Sequence, residues 1–362
     1  MTNTLPTVLL FEDDPDGTRQ ALIAEIISQL APLANARKFR HEPGHLLGTY
    51  EDRLKAELAS ELAQGTILMV ISDMDLSATK GFVGLSETVV AKVFEREGIP
   101  VVSYGSGVKP DPVQRTEGAP GTGTLLIEFG NWPAMARQAY RLCAGFSDVR
   151  ARLRELEQVP LGDRPRDLSD TIATVVGDPD VTHRVSLYLS GDQRFAASVL
   201  GQPQSKVHPK HYGPIGTWIF NSLLQFPGLF VNKVAAASYL NIDESVFGEA
   251  PIQNLFAPAL YAGPFADTSD PLWWRDRLDQ IIASADVEDG RSYAMQQLDR
   301  NDILPCMCSV DPKSVAGWYC MATRKPVSMQ HSQGNISWFP PGSDLARISS
   351  KVIEELGPWY SV

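Results

Sequence analysis

Val70-Ile71-Ser72-Asp73-Met74-Asp75-Leu76 is an apolar run that stops abruptly in acid, and Leu9-Leu10-Phe11-Glu12-Asp13-Asp14 repeats the pattern near the start of the chain. Apolar runs of this length fit strands buried on both faces of a parallel sheet. In an open α/β sheet, ligands gather at the carboxyl ends of strands, beside the point where the strand order reverses. Two neighbouring strands therefore place Glu12, Asp13 and Asp73 in one acidic crevice. Clustered carboxylates suit a hard cation such as Mg2+, which takes a few carboxylates and keeps several waters. A carboxylate beside such an ion is also a competent nucleophile toward a phosphoryl group. The plainer alternative makes Asp73 an exposed strand-end acid and the first cluster a helix opening. Asp14 or Asp16 then caps a helix over Thr18 to Leu30.

The runs that follow keep the same order. Ile99-Pro100-Val101-Val102-Ser103-Tyr104 and Thr124-Leu125-Leu126-Ile127-Glu128-Phe129 read as two further strands, with a helix from Trp132 to Ala144 behind them. On these residues the first 145 or so positions resemble the receiver domain of two-component response regulators. Leu76-Ser77 and Gly81 match the family's small-residue turn and glycine past the aspartate. The resemblance implies a flavodoxin-like five-stranded parallel sheet, with Asp73 as phosphoacceptor. It also implies Mg2+ held by Asp13, Asp73 and a Glu12-bound water, with the backbone of Asp75 nearby, and switch positions at Ser103, Tyr104 and Ser106. A histidine kinase or phosphotransfer protein becomes the expected donor. The face around the fourth and fifth strands becomes a place to dimerise or dock.

Three positions depart from the family. The lysine that ends the fifth strand is matched by Glu128, whose charge repels a phosphoryl group at short range. Lys109 lies too early to stand on that strand, although a loop could bring it near. The hydroxyl switch position aligns with Gly105 or Ser106, and the Pro- and Gly-rich stretch from Lys109 to Gly123 predicts a short or melted fourth helix.

Composition bounds the rest. A chain of 362 residues has room for two or three domains. The formal net charge of −11 argues against a surface that coats nucleic acid or anionic membrane. No uncharged apolar window is long enough to span a bilayer, and the start lacks the positive region of a secretory signal. Four cysteines do not make a disulfide framework in a chain this size. A bacterial-type cytoplasm is the expected setting.

Ser147 to Gln158 reads as a short amphipathic helix, and Pro160, Gly162 and Pro165 break the chain after it. The expected division is a receiver-like domain over 1–146, a helical connector over 147–167 and a separate, mainly helical domain over 168–362. In that last part Val185–Leu189 and Ala196–Leu200 are short strands or helices. Gly216 to Leu224 reads as a buried helix, with further helical stretches at Val231–Tyr239, Trp273–Ile282 and Leu345–Leu356.

Val234 to Asp243 resembles the first helix and turn of a helix-turn-helix unit, but the following Glu244 to Pro251 is acidic and soon broken. A tight helix pair is the preferred reading. Cys306, Cys308, Cys320 and His331 contain enough ligands for zinc, yet lack the spacing of a finger or ribbon, and cysteine is commonly a small core residue. His208-Pro209-Lys210-His211 reads as a surface turn, and Asp276 with Asp279 as the wet face of a helix. Arg291, Tyr293 and His331 are candidates to line a pocket.

The leading expectation is a phosphorylated signalling protein whose receiver switches a C-terminal output domain. Its alternatives are a phosphorylation-independent scaffold, an enzyme sited in 168–362 under receiver control, and DNA binding through Val234 to Ile242.

Overall fold

The computed structural model describes residues 5–13, 17, 19–39, 49–77, 85, 87–105, 125–128, 130–200 and 208–356. These divide into two compact units, one built from 1–110, 122–168 and 197–217, the other from 111–121, 169–196 and 218–362.

In the first unit, strands β1 (Thr7–Phe11), β2 (Asn35–Lys38), β3 (Ile67–Asp73), β4 (Val101–Tyr104) and β5 (Leu125–Ile127) form one parallel sheet in the order β2-β1-β3-β4-β5. Every residue of β1, β3 and β4 is buried, as expected for the middle of a sheet covered on both faces. Side chains alternate between the faces. Leu9, Phe11 and Val70 point into a core with Phe39, Leu54, Leu58, Val90, Phe94 and Ile99. Phe11 stacks on Phe39 at 4.8 Å and meets Phe94 edge-on at 5.9 Å. Each such side chain contributes about 1.5–3 kcal/mol by leaving water. β2 is a polar edge, tied down by Arg37, whose Nη2 donates to both carboxylate oxygens of Glu61 at 2.8 and 3.0 Å.

The helices of this unit are α1 (Gln20–Leu30), α2 (Tyr50–Glu57), α3 (Ala59–Gln64), α4 (Glu87–Glu95) and α5 (Trp132–Gln158). The two helices expected on either side of Gly145 are one. α5 runs unbroken for 27 residues, and buries Met135, Ala139, Leu142, Phe146, Val149 and Leu153 along a single stripe. That stripe continues through Gly145, where packing outweighs the roughly 1 kcal/mol that glycine costs a helix. Asn131 caps its start, accepting a hydrogen bond from the Ala134 amide at 3.4 Å. The cap expected from Asp14 or Asp16 lies outside the described residues, and the position before α1 is Arg19.

The second unit is mainly helical. Its helices are α6 (Leu168–Val176), whose first residue belongs to the first unit, α7 (Thr182–Ser190), the first half of α8 (Gln193–Leu200), the last residue of α9 (Tyr212–Trp218), which otherwise belongs to the first unit, α10 (Lys233–Tyr239), α11 (Glu244–Phe247), α12 (Ala250–Leu255), α13 (Arg275–Ser284), α14 (Gly290–Leu298) and α15 (Ser350–Leu356). Small sheets accompany them: β6 (Phe230–Asn232) with β7 (Leu272–Trp274), and the order β10-β11-β8-β9 for β8 (Trp318–Cys320), β9 (Pro326–Val327), β10 (Ser332–Gln333) and β11 (Ala346–Ser349).

Val231, Trp273 and Leu345–Ser349, read from sequence as helix starts, instead lie in or beside strands that run directly into α10, α13 and α15. The helix expected over Gly216–Leu224 is the end of α9 followed by a π-turn over Ile219–Leu223. Ala235, Ala236 and Ala237 are buried where α10 packs on α11, and α11 is a single turn of four residues. That gives the tight helix pair and leaves no second helix long enough to lie in a DNA groove.

Candidate functional site

Glu12 and Asp13 follow β1, and Asp73 ends β3, the two strands that flank the reversal in strand order. Their carboxylate oxygens lie within 4.8 Å of one another. Glu12 and Asp73 are buried, at 6% and 3% exposure, and Asp13 is partly exposed. Three acids this close repel. Burial first, and then Glu12, push the Asp73 carboxyl above its ordinary pKa, against the opposing pull of Arg19.

Arg19, immediately before α1, is the counter-ion that the sequence reading missed. Its guanidinium is hydrogen-bonded to Asp73 and stands 3.5 Å from Glu12. Burial works against its charge, but Asp73 and Glu12 outweigh that and hold its pKa above normal. The only sequence signal is a single cation one loop after a run of acids.

The remaining predicted residues take distinct places. Tyr104 is buried and its hydroxyl donates to Glu12; burial and that carboxylate raise its pKa, so it stays a donor. Ser103 turns to Glu87 on α4, donating from Oγ at 2.7 Å. Asp75 sits in a turn, its amide 3.4 Å from Asp73 Oδ1 and its own carboxylate accepting from the Ser77 amide at 3.0 Å. Gly105 packs against Met74, leaving no room for a larger side chain without a shift. Glu128 is exposed just past β5, with its amide bonded to Gln138. Ser106, Gly81, Lys109 and the stretch to Gly123 lie outside the described residues.

The donor set of Glu12, Asp13 and Asp73 suits a hard cation, being all oxygen and compact. Arg19 and a metal ion would compete for the same oxygens of Asp73 and Glu12.

The secondary candidates separate. Cys306, Cys308 and Cys320 are buried free thiols, and Cys308 and Cys320 share a small core with Val327. His331 faces Asp311 at 3.4 Å. Among the described residues the acidic trio is the group whose ligand atoms converge, and the cysteines with His331 do not. His208 and His211 close a short turn on each other's backbone. Asp276 pairs with Arg184 at 2.8 Å and Asp279 accepts from Tyr239 at 2.5 Å, while Arg291 donates to the Ile303 carbonyl at 2.7 Å. No described helix is long and apolar enough to cross a membrane.

The fold and cluster are compatible with a receiver. No family model matches the chain, and neither does any curated protein or solved structure at a significant level.

Proposed function

We propose that this chain is a signalling protein whose first unit accepts a phosphoryl group on Asp73 and whose second unit reads the result. The observation that carries this reading is the seat of Asp73: at the carboxyl end of a central strand, with two further acids, at the reversal point of a 2-1-3-4-5 sheet. An Asp73 oxygen attacks the phosphorus of a phosphohistidine donor. The P–N bond breaks as the O–P bond forms, and the imidazole leaves and takes up a proton from solvent. Glu12, Asp13 and Asp73 would hold Mg2+, which would supply charge neutralisation for the incoming group. Arg19 supplies the fixed cation that Glu128 does not, and exchanges its contact with the carboxylate for one with the phosphoryl oxygens. The added charge rearranges the Tyr104–Glu12 and Ser103–Glu87 contacts, coupling the site to α4.

A second reading has its own support. Because Arg19 already pairs with Asp73 and faces Glu12, the site holds an internal cation, as a phosphorylation-independent scaffold would. A beryllofluoride titration with Mg2+, followed by amide hydrogen exchange on wild type and Asp73→Asn, separates the two. Protection near Glu12, Asp73 and Ser103 that is absent in the variant is expected from phosphoacceptance. No response at saturating reagent leaves the scaffold.

A further inference from the structure

At the amino ends of β3 and β4, the opposite end of the sheet from the acids, lies a cavity of about 400 Å³. Ile67, Ile99 and Leu62 form an apolar wall, and Arg150 and Arg154 of α5 reach it together with Lys210 and Tyr212. Arg150 and Arg154 are four residues apart on one helix, a spacing that brings like charges together at a cost of about 0.2–0.5 kcal/mol. Arg150 is half-buried with its guanidinium 5.5 Å above the Tyr212 ring. Among the described residues no carboxylate stands at ion-pair distance from Arg150, Arg154 or Lys210. The lining also carries two acids, Glu97 and Glu157, which its three cations outnumber, and Glu157 stands 3.8 Å from His208. Burial lowers the Arg150 pKa against the pull of Tyr212, and Arg154 lowers it further.

The walls are fixed before any ligand arrives. Tyr212 donates to the Leu68 carbonyl at 2.7 Å. Gly98 has φ +72°, and a Cβ there would stand 2.2 Å from the Lys210 carbonyl oxygen. A Cβ on Gly213 would stand 2.1 Å from the Gly98 oxygen. Backbone meets backbone here, so the segment carrying Lys210 and Tyr212 is clamped to the start of β4. A preformed cavity of this size, with an apolar wall and convergent cations that lack acid partners, is built for an anion with an organic body.

We propose that this cavity binds a small organic phosphate of nucleoside-monophosphate size, with Arg150 and Arg154 taking the phosphoryl oxygens, Lys210 adding a third charge and the apolar wall receiving the body. Guanidinium forks match phosphate oxygens in pairs, which a lone lysine does not. The site is independent of Asp73 and its chemistry.

The test is calorimetric titration of the full chain with adenosine 5′-monophosphate, with adenosine and inorganic phosphate as separate arms. Saturable binding of the monophosphate is expected, weakened about tenfold or more in Arg154→Gln and in Lys210→Gln, both at exposed positions, and unchanged in Asp73→Asn. Circular dichroism and the unfolding midpoint confirm that the variants fold. Adenosine binding as tightly as the monophosphate overturns anion recognition. Inorganic phosphate binding as tightly overturns the organic body. An absence of saturable heat at millimolar monophosphate, or indifference to both substitutions, overturns the site itself.

Discussion

The two ends of the parallel sheet differ in their balance of charge. The carboxyl end gathers three acids and supplies its own counter-ion, Arg19. The amino end, roughly 20 Å away along β3, gathers two arginines and a lysine, and no carboxylate pairs with them among the described residues. The contrast teaches that like-charge clusters in one fold can be held in two ways. One has an internal counter-ion, so removing that residue damages the fold. The other is held by backbone clamping, so its charges remain available to something outside the chain.

The largest expected effect comes from breaking the acidic end. Arg19→Ala removes the counter-ion from two buried acids and should cost about 3 kcal/mol in urea unfolding without divalent ions. Added Mg2+ should recover much of that loss, and should shift the variant more than the wild type. Equal shifts in both would show that Arg19 and the metal do not share a seat.

Next comes the clamp. Gly98→Ala forces a Cβ onto the Lys210 carbonyl at a positive φ and should lower stability by about 2 kcal/mol. The same variant should lose binding of adenosine monophosphate while its response to beryllofluoride survives. Loss of both responses would mean that the two ends are not separable.

A control in the second unit calibrates both. Asp289 caps α14, accepting from the Ser292 amide and from Asn241, each at 2.7 Å. Burial raises its carboxyl pKa, but those hydrogen bonds outweigh it and hold the value below ordinary. Asp289→Ala should cost about 1 kcal/mol. Because the folded value is depressed, the wild-type advantage is full above the unfolded value near 4 and fades as pH falls through the folded one. Unfolding curves at pH 7 and below 4 check this, and a gap that widens in acid would refute the cap's charge.

The smallest effect is expected at Glu128. Glu128→Lys places the lysine typical of receiver domains at an exposed position, so stability should move by less than about 0.5 kcal/mol. If Arg19 already supplies the cation, beryllofluoride affinity should change less than about threefold. A much larger gain would return that role to the strand-end lysine.

How much of this was legible follows from burial. β1, β3 and β4 lie buried on both faces, so each shows as an unbroken apolar run, and acids mark where two of them end. β2 is a polar edge, Asn-Ala-Arg-Lys, and carries no such signal. Three short strands of the second unit, β6, β7 and β11, run straight into helices, and segments of three or four residues are too short to distinguish a period of 2 from 3.6. The acid cluster could be read because its members end apolar runs. Arg19 could not, since a lone cation outside any apolar run carries no periodic signal. The basic cavity draws on residues near 65, 98, 152 and 210, so no local motif announces it.

Helix α5 gives this arrangement a mechanical side. Its 27 residues span about 40 Å, starting just after β5 at the acidic end and carrying Arg150 and Arg154 past the other. One continuous stripe of buried side chains grips it along most of that length. The acidic end and the arginines thus lie at opposite ends of a single continuous helix, held along its length by its buried stripe rather than by either charged cluster.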